Sequence, residues 1–551
     1  MKKKFYTIIF MTVVILGFLN FSSCKDLTSV NENPNEVTNV TDDYFLSSVL
    51  TGIVSYYQNQ TYTDTEILCA VQYLQQDWLG ADKINFNWDD RSWAGYYSIL
   101  ETNESLIKQS ADEGTEGQFH LAAALISKAF LIGFMTDKWG DLPYSEALQG
   151  DEDLYYPAFD VQENIYSNIL NLLDSANTLL SGSDYVVGNE SYDVLYNGDT
   201  GKWRKFANSL ALRYYMRLSA KLPETARAGV EKILSDPEQY PVFSSNDDIA
   251  QVSYEGTSEA DSWPGGDYNW PEEKQFKIRK PCKTIVDTLR IFNDPRLPVW
   301  IEPVETQIIV EDPANATYTA DDITVGNKRY IHSDYADLTE YEKEVGPVDT
   351  NQYVGLAPNL SDARYYNLYT TSQQGDNPHV SYLTDMYRDN SNSQVKAVFM
   401  SYAEVCFIAA EAALKGWNTG SSAENYYNSG IAASLDQYGQ SSYSSLYLQQ
   451  EKVKYNGTLN RIMTQKWLAL WMSPEMWFDY RRTGLPDFQF GSGAIHPAMP
   501  VRFIYPEDEK LNNETNYTEA VERLEQTDYS DGMHDSQYSK IWLIQGTENP
   551  W

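Results

Sequence analysis

The chain has 551 residues, of which 42% are hydrophobic and 14% aromatic, which is enough for a large folded core and argues against overall disorder. Asp and Glu number 78 against 41 Lys and Arg, so the net charge at pH 7 is −37. A surface this acidic repels phosphate backbones, and nucleic acid is therefore excluded as a partner.

The amino terminus has the pattern of a secretion signal. Lysines at positions 2–4 precede an apolar run at 6–19, and two serines and Cys24 close the segment. The run is shorter than the ~20 residues that a transmembrane helix needs. Its ending resembles the lipobox of bacterial lipoproteins, although Phe21 stands where that motif usually has Leu. We predict that residues 1–23 are removed and that Cys24 is acylated, which would anchor the protein in a membrane. An ordinary cleaved signal with an incidental cysteine is the alternative.

The rest of the chain is predicted to form a polar tether followed by one globular unit. Residues 24–42 are rich in Asn, Ser and Thr, with Pro34 among them, as is typical of a flexible linker. No later segment was expected to be apolar enough to span a bilayer. Within 43–551 we predict a helical scaffold at about 43–240 and 390–485, an irregular lobe at about 240–390, and an irregular C-terminal part from about 485 with a short helix near 515–525.

Helical periodicity is clearest at 159–180, where Ile165, Ile169 and Leu172 step by four and three residues. Several such stretches come in neighbouring pairs, which predicts a mostly α fold of tetratricopeptide-like helix pairs, each burying its apolar stripe against the next. The predicted pairs are 91–111 with 118–137, 159–180 with 201–221, 395–416 with 421–438, and 443–456 with 459–473.

The usual signatures of enzymes and metal sites are missing from the sequence. No GxSxG, HExxH, GxxxxGK[ST] or GxGxxG motif occurs, so no catalytic residue is assigned. Neither CxxC nor a Cys/His spacing for zinc is present, and the five histidines lie far apart, so no metal ligand is assigned. Cys69 and Cys406 lie in apolar helical stretches and are predicted to be small buried hydrophobes. With 78 acidic residues, a glycosidase-like carboxylate pair is neither supported nor excluded.

Aromatic residues give the most specific candidate ligand contacts. A sugar ring stacks its CH face on an aromatic ring, while its hydroxyls need amide, carboxylate or guanidinium partners. Three stretches combine the two kinds of group, and for each the alternative is that the rings pack in the protein's own core. The first platform comprises Trp263, Asp267, Tyr268, Asn269 and Trp270; the second Trp88, Asp89 and Arg91; and the third Tyr365, Tyr366 and Asn367.

Other prominent side chains are predicted to be structural. Arg213 and Arg217 lie on adjoining faces of one predicted helix and are expected to hold loops through carboxylates or carbonyls. Gly140 and Pro143 are expected to end a helix in a rigid corner. Four tryptophans in helical stretches are predicted to be packing residues: Trp93, Trp467, Trp471 and Trp477.

Seven segments, taken in order along the chain, resemble the SusD/RagB (SusD-like) family. The polar NPNEVT that follows the lipobox looks like the usual opening of that family. The other segments are DKWGDLPYSEA at 137–147, YPAFDVQENIY at 156–166, 196–219, YAEVCFIAAEAALKGW at 402–417, 464–486 and 499–517.

The resemblance implies a SusD-like fold: tetratricopeptide-like helix pairs carrying a large, irregular, ligand-binding lobe. It further implies a lipid-anchored protein of the outer membrane, exposed at the cell surface, that captures oligosaccharides without turnover and delivers them to a SusC-like TonB-dependent barrel. No cofactor is implied; some relatives bind structural calcium, which this sequence does not decide. Three alternatives stay open: a RagB-like subunit for peptide cargo, a lipid-anchored glycoside hydrolase, and a repeat-type protein–protein adaptor.

Overall fold

The computed structural model describes residues 40–77, 81–182, 186–369 and 375–548. The predicted signal peptide, the acylation site Cys24 and nearly all of the tether lie outside these residues. Their assignments therefore stay predictions.

The N-terminal helices begin with α1, which continues through a π-helical turn at Val54–Asn59. Helices α5 and α6 form the first predicted hairpin, and α1 packs across both. The elements are α1 (Asp42–Ile53), α2 (Gln60–Asp64), α3 (Glu66–Ala70), β1 (Leu74–Gln76), α4 (Ala81–Ile84), α5 (Ala94–Asp112), α6 (Gln118–Trp139) and β2 (Leu142–Pro143).

The second predicted pair follows directly, and its boundaries have local causes. The segment predicted as helix from residue 159 first pairs as a strand with β2, and the helix begins at Gln162. The next helix is capped by Asp199, whose side chain accepts a hydrogen bond from the Lys202 N–H at 3.0 Å. The elements are β3 (Phe159–Asp160), α7 (Gln162–Leu179), α8 (Thr200–Arg217) and α9 (Pro223–Ser235), and each helix packs on the next.

The region between the two helical parts is irregular, as predicted, and contains small sheets. Strand β4 pairs with β9, β1 with β5, and β6, β8 and β7 form a three-stranded sheet in that order. That sheet has a small core of its own with α13, made by Ile308, Ile331, Leu338, Val348 and Leu368. The elements are β4 (Ala250–Ser253), α10 (Glu273–Lys277), β5 (Arg279–Pro281), α11 (Lys283–Ile291), α12 (Leu297–Trp300), β6 (Gln307–Glu311), β7 (Asp322–Val325), β8 (Lys328–His332), α13 (Ala336–Glu344) and β9 (Lys396–Met400).

The C-terminal helices correct two predicted boundaries. The stretch predicted as helix from 395 begins as strand β9, and helix α14 starts only after Ser401. The helix predicted at 443–456 is reduced to the five residues of α16, and α17 packs on α14 and α15 instead. The elements are α14 (Tyr402–Leu414), α15 (Ala423–Gln437), α16 (Ser444–Leu448), α17 (Leu459–Ala469), α18 (Glu475–Thr483), α19 (Glu507–Asn512) and α20 (Glu514–Glu522).

The tail beyond α20 returns to the N-terminal part of the chain. The Gln537 side-chain oxygen accepts a hydrogen bond from the Trp88 N–H at 2.9 Å, and its amide nitrogen donates to the Phe86 carbonyl. Leu543 N–H donates to the Gln162 side chain at the start of α7. Residues from both ends of the described chain therefore belong to one hydrophobic core, which runs from Leu46 to Ile544.

Buried ion pairs cross this core. Arg213 and Arg217 of α8 pair with carboxylates, as predicted, but these carboxylates lie on helices and not on the predicted loops. Arg213 forms a bidentate pair with Glu404, with both N–O distances 2.7 Å, and donates to the Phe399 carbonyl. Arg217 lies between Asp137 and Glu475. A second group joins Arg482, Glu411, Asp479 and Lys466. These pairs join helices from distant parts of the chain.

Other structural predictions also hold. Cys69 and Cys406 are buried thiols without a disulfide, and the four tryptophans assigned to packing are buried. Gly140, with a φ of +95°, ends α6. One expectation was wrong: by length and composition α6 is apolar enough to cross a membrane. However, 83% of the most apolar 18-residue stretch of α6 is buried inside the protein, as in a core helix.

Candidate functional site

A short ladder brings together polar residues that are about 200 positions apart in the chain. Strand β1 pairs antiparallel with β5, so that Gln76 lies opposite Arg279 and Gln75 opposite Lys280. The Asp77 N–H donates to the Ile278 carbonyl and extends the ladder by one residue. Asp77, Arg279 and Lys280 thus meet at one end of a two-stranded sheet.

Lys280 and Asp77 form a buried pair at this end. Lys280 Nζ lies 3.5 Å from Asp77 Oδ2 and 3.7 Å from the centroid of the Tyr382 ring. Burial lowers the pKa of Lys280 to about 8 and raises the pKa of Asp77, while their mutual attraction opposes both effects. Asp77 Oδ1 is buried and has no hydrogen-bond partner among the described residues. The protein thus encloses the pair, with 4% of Asp77 and 0% of Lys280 exposed.

Arg279 connects this pair to the first predicted platform. Its guanidinium carbon lies 4.6 Å from the Trp270 ring centroid and 5.1 Å from that of Tyr62. Its Nη2 donates to the Thr63 carbonyl at 3.0 Å, which fixes the guanidinium against α2. Trp270 is half-buried beside it, and Tyr268 is 50% exposed. We call Asp77, Tyr268, Trp270, Arg279 and Lys280 the ladder-end site.

Trp263, the third ring of the first platform, lies in the core instead. It is 1% exposed, its Nε1 donates to the Tyr387 carbonyl, and its ring contacts Tyr62 and Tyr254. Gly265 explains this close packing, because a Cβ there would lie 2.6 Å from Trp263 Nε1. In this structure Trp263 has no face free for a ligand, so it supports the loop from below.

The polar members of the first platform hold the loop. Asp267 pairs with Arg388 at 3.0 Å, and the Asn269 amide lies 3.4 Å from the Trp263 carbonyl. The first contact ties the loop to Arg388, and the second closes the loop on itself. Asp267 remains exposed, however, so it is still accessible to a ligand.

In the second platform, too, the aromatic ring is buried and an acidic side chain is exposed. Trp88 is 7% exposed and stacks on Phe503, with ring centroids 4.9 Å apart, so the structure places it in the core. Arg91 pairs with Glu66 and lies 4.0 Å from Asp64, while Asp89 is exposed. Helix α2 contacts the second platform through Asp64 and Arg91, and the ladder-end site through Thr63 and Arg279.

The third platform lies on a different small core. Tyr366 packs against a cluster of Leu356, Ala363 and Val380, and Tyr365 is 46% exposed. Asn367 is buried with a φ of +55°; it accepts from the Asp349 N–H and donates to the Asp349 and His379 carbonyls. Asn367 therefore shapes the loop, and Tyr365 is the member that faces solvent.

The pattern reasoning missed Asp77, Arg279, Lys280 and Tyr382. The ladder that unites them depends on pairing between distant segments, which short-range periodicity does not reveal. The only local signal was Arg279-Lys280-Pro281 in an irregular region. No group of three or more His, Cys, Asp or Glu side chains able to hold a metal ion occurs within the described ranges.

The comparisons agree with this architecture. A SusD-like family profile described as "Starch-binding associating with outer membrane" matches residues 34–506. A SusD homologue from Bacteroides fragilis is 21% identical, with a TM-score of 0.71, over 92% of this chain and 100% of that one. A Bacteroides vulgatus outer-membrane protein connected with nutrient binding is 25% identical, with a TM-score of 0.70, over 91% and 100% of the two chains.

A third solved structure is named a chitin-binding protein. It is 23% identical, with a TM-score of 0.71, over 92% of this chain and 100% of that one. No curated protein matches the sequence. The match to the family profile extends over most of the chain, and the helix pairs and irregular lobe fit the same fold. The chain belongs to the SusD-like family.

Proposed function

We propose that this protein is a surface-exposed, lipid-anchored binding protein that captures oligosaccharides and delivers them to a SusC-like TonB-dependent transporter. The observation that carries the proposal is the ladder-end site. Its two partly accessible rings, Tyr268 and Trp270, lie in one loop with the exposed Asp267 carboxylate, while Asp77, Arg279 and Lys280 are buried beside them. Sugars need both kinds of partner.

The arrangement of Trp270 suits stacking by a sugar. The Arg279 guanidinium lies over the ring and is itself held by the Thr63 carbonyl, so the indole has a fixed support on that side. The opposite side is the one on which a pyranose can place its CH face.

The same site favours binding over turnover. The Asp77 carboxylate faces the Lys280 ammonium at 3.5 Å, whereas glycosidases use two facing carboxylates across the scissile bond. The family description and the names of the relatives, which refer to starch, nutrient and chitin binding, support saccharide cargo.

Titration calorimetry on the purified protein tests the cargo and the site together. The probes are maltohexaose, chitohexaose and a mixture of short peptides. Trp270→Ala and Tyr268→Ala should each weaken oligosaccharide binding by about tenfold, because a stacked aromatic contact is worth ~1 kcal/mol or more. Tyr443→Ala is the matched control, since Tyr443 is 51% exposed and lies in the C-terminal helical part.

Two results would overturn the proposal for cargo. If Trp270→Ala and Tyr268→Ala both bind the oligosaccharide as the parent does, the ladder-end site is not where it binds. Binding of the peptides but of neither saccharide would favour the RagB-like alternative.

The transporter partner is tested separately. The protein, purified through an affinity tag from detergent-solubilised outer membrane, should bring with it a large β-barrel in a fixed ratio. If the protein is recovered from mild detergent without a barrel, the result contradicts the proposed delivery step.

A further inference from the structure

One face of helix α1, continued by the π-helical turn after it, carries hydroxyl side chains instead of apolar ones. Tyr44, Ser48, Thr51 and Ser55 follow each other at intervals of four, three and four residues, which places them on one side of the helix. Thr51 and Ser55 are exposed, and Tyr44 is 54% exposed. Ser48 is exposed as well, so this face is open to solvent along most of its length.

This face forms one wall of a groove of about 840 Å³. A second wall comes from the segment before α8, through Ser191, Val194 and Asn197. The floor and far end come from β4 and the loop after it, through Val252, Ser253, Tyr254, Glu255, Ser258, Ala260 and Asp261. We call it the α1 groove.

The hydroxyls in the α1 groove present mainly acceptor oxygens. Thr51 Oγ1 donates its hydrogen to the Ser47 carbonyl at 2.9 Å, and Ser55 Oγ donates to the Thr51 carbonyl at 3.1 Å. Ser191 Oγ donates to the Asn189 side chain at 2.8 Å. With their hydrogens already used, these oxygens offer lone pairs to a ligand that supplies donors.

Two carboxylates reinforce this character. Hydrogen bonds from Thr257 and Ser258 hold the pKa of Asp261 below its usual value, so this group stays ionised. Glu255 is exposed, and its carboxylate makes no hydrogen bond or ion pair within the described part of the chain. The lining residues include no Lys or Arg, although Lys396 Nζ donates to Ser253 Oγ at 2.9 Å.

An aromatic pair lies where the α1 face and the Ser191 segment approach each other. The Tyr44 and Tyr192 ring centroids are 4.7 Å apart with an interplanar angle of 57°. Tyr44 is one helical turn before Ser48, and Tyr192 directly follows Ser191, so both adjoin lining residues. From Tyr44 to Ser55 the helix face spans roughly 16 Å.

We propose that the α1 groove is a second binding site, for an oligosaccharide that carries primary ammonium groups, such as an amino-sugar oligomer. Each ammonium supplies three donors and a positive charge to a lining of acceptors and two carboxylates. The tyrosine pair contacts the apolar face of a terminal sugar ring. This goes beyond the proposed function, because none of these residues belongs to the ladder-end site.

Titration calorimetry with a glucosamine tetramer tests the proposal, with the N-acetylated tetramer as the uncharged control. The glucosamine tetramer should bind more tightly than its acetylated form, and its affinity should fall as sodium chloride is raised. Glu255→Gln and Ser55→Arg should each weaken binding by about tenfold or more, the first by removing a charged acceptor and the second by adding a repelling cation.

Matched changes outside the groove separate these effects from altered net charge. Glu519→Gln and Ser98→Arg alter exposed helical positions and should bind the glucosamine tetramer as the parent does. Thermal melting checks that all four variants are folded. Equal affinity for the two tetramers would overturn the proposal, and so would unchanged binding in both groove variants. Since the groove variants leave Tyr268 and Trp270 intact, this test can fail independently of the one at the ladder-end site.

Discussion

Lys138 keeps its ammonium group in the core among aromatic rings. Nζ donates a hydrogen bond to the Tyr96 hydroxyl oxygen at 3.0 Å and lies within 5.2 Å of four ring centroids: those of Tyr96, Phe134, Trp139 and Phe503. No carboxylate pairs with it among the described residues. Burial therefore lowers the pKa of Lys138 to about 8.

Lys138→Met should remove a pH-dependent part of the stability. In the unfolded chain the lysine pKa is ~10.4, so between pH 8 and 10 the unfolded state binds more protons and folding becomes more favourable as pH rises. With a native pKa of about 8, Lys138 raises the free energy of unfolding by about 2 kcal/mol between pH 7.5 and 9.5. Urea unfolding at these two pH values, for parent and variant, measures it.

Lys280 keeps its own contribution in both proteins, so the difference between parent and variant isolates Lys138. Lys452 is exposed, so Lys452→Met is the control. Its free energy of unfolding should rise with pH as that of the parent does. If the free energy of unfolding of Lys138→Met rises with pH as much as that of the parent, the Lys138 ammonium is solvated in the native state.

Glu475 is the acidic centre of the buried ion pairs of α8. It accepts a hydrogen bond from the Tyr57 hydroxyl at 2.8 Å, pairs with Arg217 and lies 3.4 Å from Arg213. Glu475→Gln should destabilise the protein by about 1–3 kcal/mol, because each buried guanidinium loses one of its two carboxylate partners while Glu404 and Asp137 remain. Urea unfolding at pH 7 measures this. Glu231→Gln, which breaks the surface pair with Arg227, should change stability little.

Individual residues of the candidate site were predictable only in part. Trp263 and Tyr268 stand five positions apart in one loop, yet one lies in the core and the other faces solvent. The difference comes from Tyr62, Tyr254 and Tyr387, which close around Trp263 from distant parts of the chain. Composition identifies a candidate loop for sugar binding, but burial by distant neighbours decides which ring is free.

At the level of secondary structure, a glycine controls the contact between α6 and α8. A Cβ on Gly133 would lie 1.9 Å from the Tyr214 hydroxyl, which contacts the Ala129 and Phe130 carbonyls of α6. Gly133→Ala should therefore destabilise the protein by about 1–3 kcal/mol through overpacking. Helix propensity alone predicts the opposite, a gain of about 1 kcal/mol. Denaturant unfolding decides between them, and a more stable variant would contradict the proposed contact.

Strand β9 shows why one predicted helix began too early. Apolar residues at 395–400 continue the helical spacing of α14, so periodicity alone extends the helix backwards. In the fold, residues 396–400 pair with β4, and Ser401 accepts a hydrogen bond from the Glu404 N–H at 3.2 Å, which caps α14. The Ser-x-x-Glu pattern at 401–404 was a local signal for this boundary, whereas the pairing with β4 was not visible in the sequence.

At the scale of the whole molecule, the ordered family segments were enough to predict the helix pairs and the irregular lobe between them. The segments lie mainly in the helical scaffold and its corners, where local pattern and packing agree. The α1 groove and the ladder-end site come from pairings that the segments do not contain. Fold was therefore the more predictable part, and the binding surfaces the less predictable part.

The attachment of the molecule to its membrane rests on a single residue in the proposed function. Cys24→Ala should abolish incorporation of labelled palmitate and move the protein from the membrane fraction to the soluble fraction, because no acyl chain is then buried in lipid. Fractionation of cells grown with labelled palmitate measures both. Retention of the variant in the envelope, without label, would contradict the predicted anchor.

The returning tail has a consequence for how the protein is made. Gln537 bonds to the backbone at residues 86–88, and Leu543 bonds to Gln162, so the N-terminal half lacks its closing contacts until the last residues arrive. Contacts that span more than 350 positions carry a large loop-closure cost, so we expect the tail to dock after the helix pairs have formed. The predicted signal peptide implies passage across a membrane, and a chain that stays open until its last residues arrive suits such a passage.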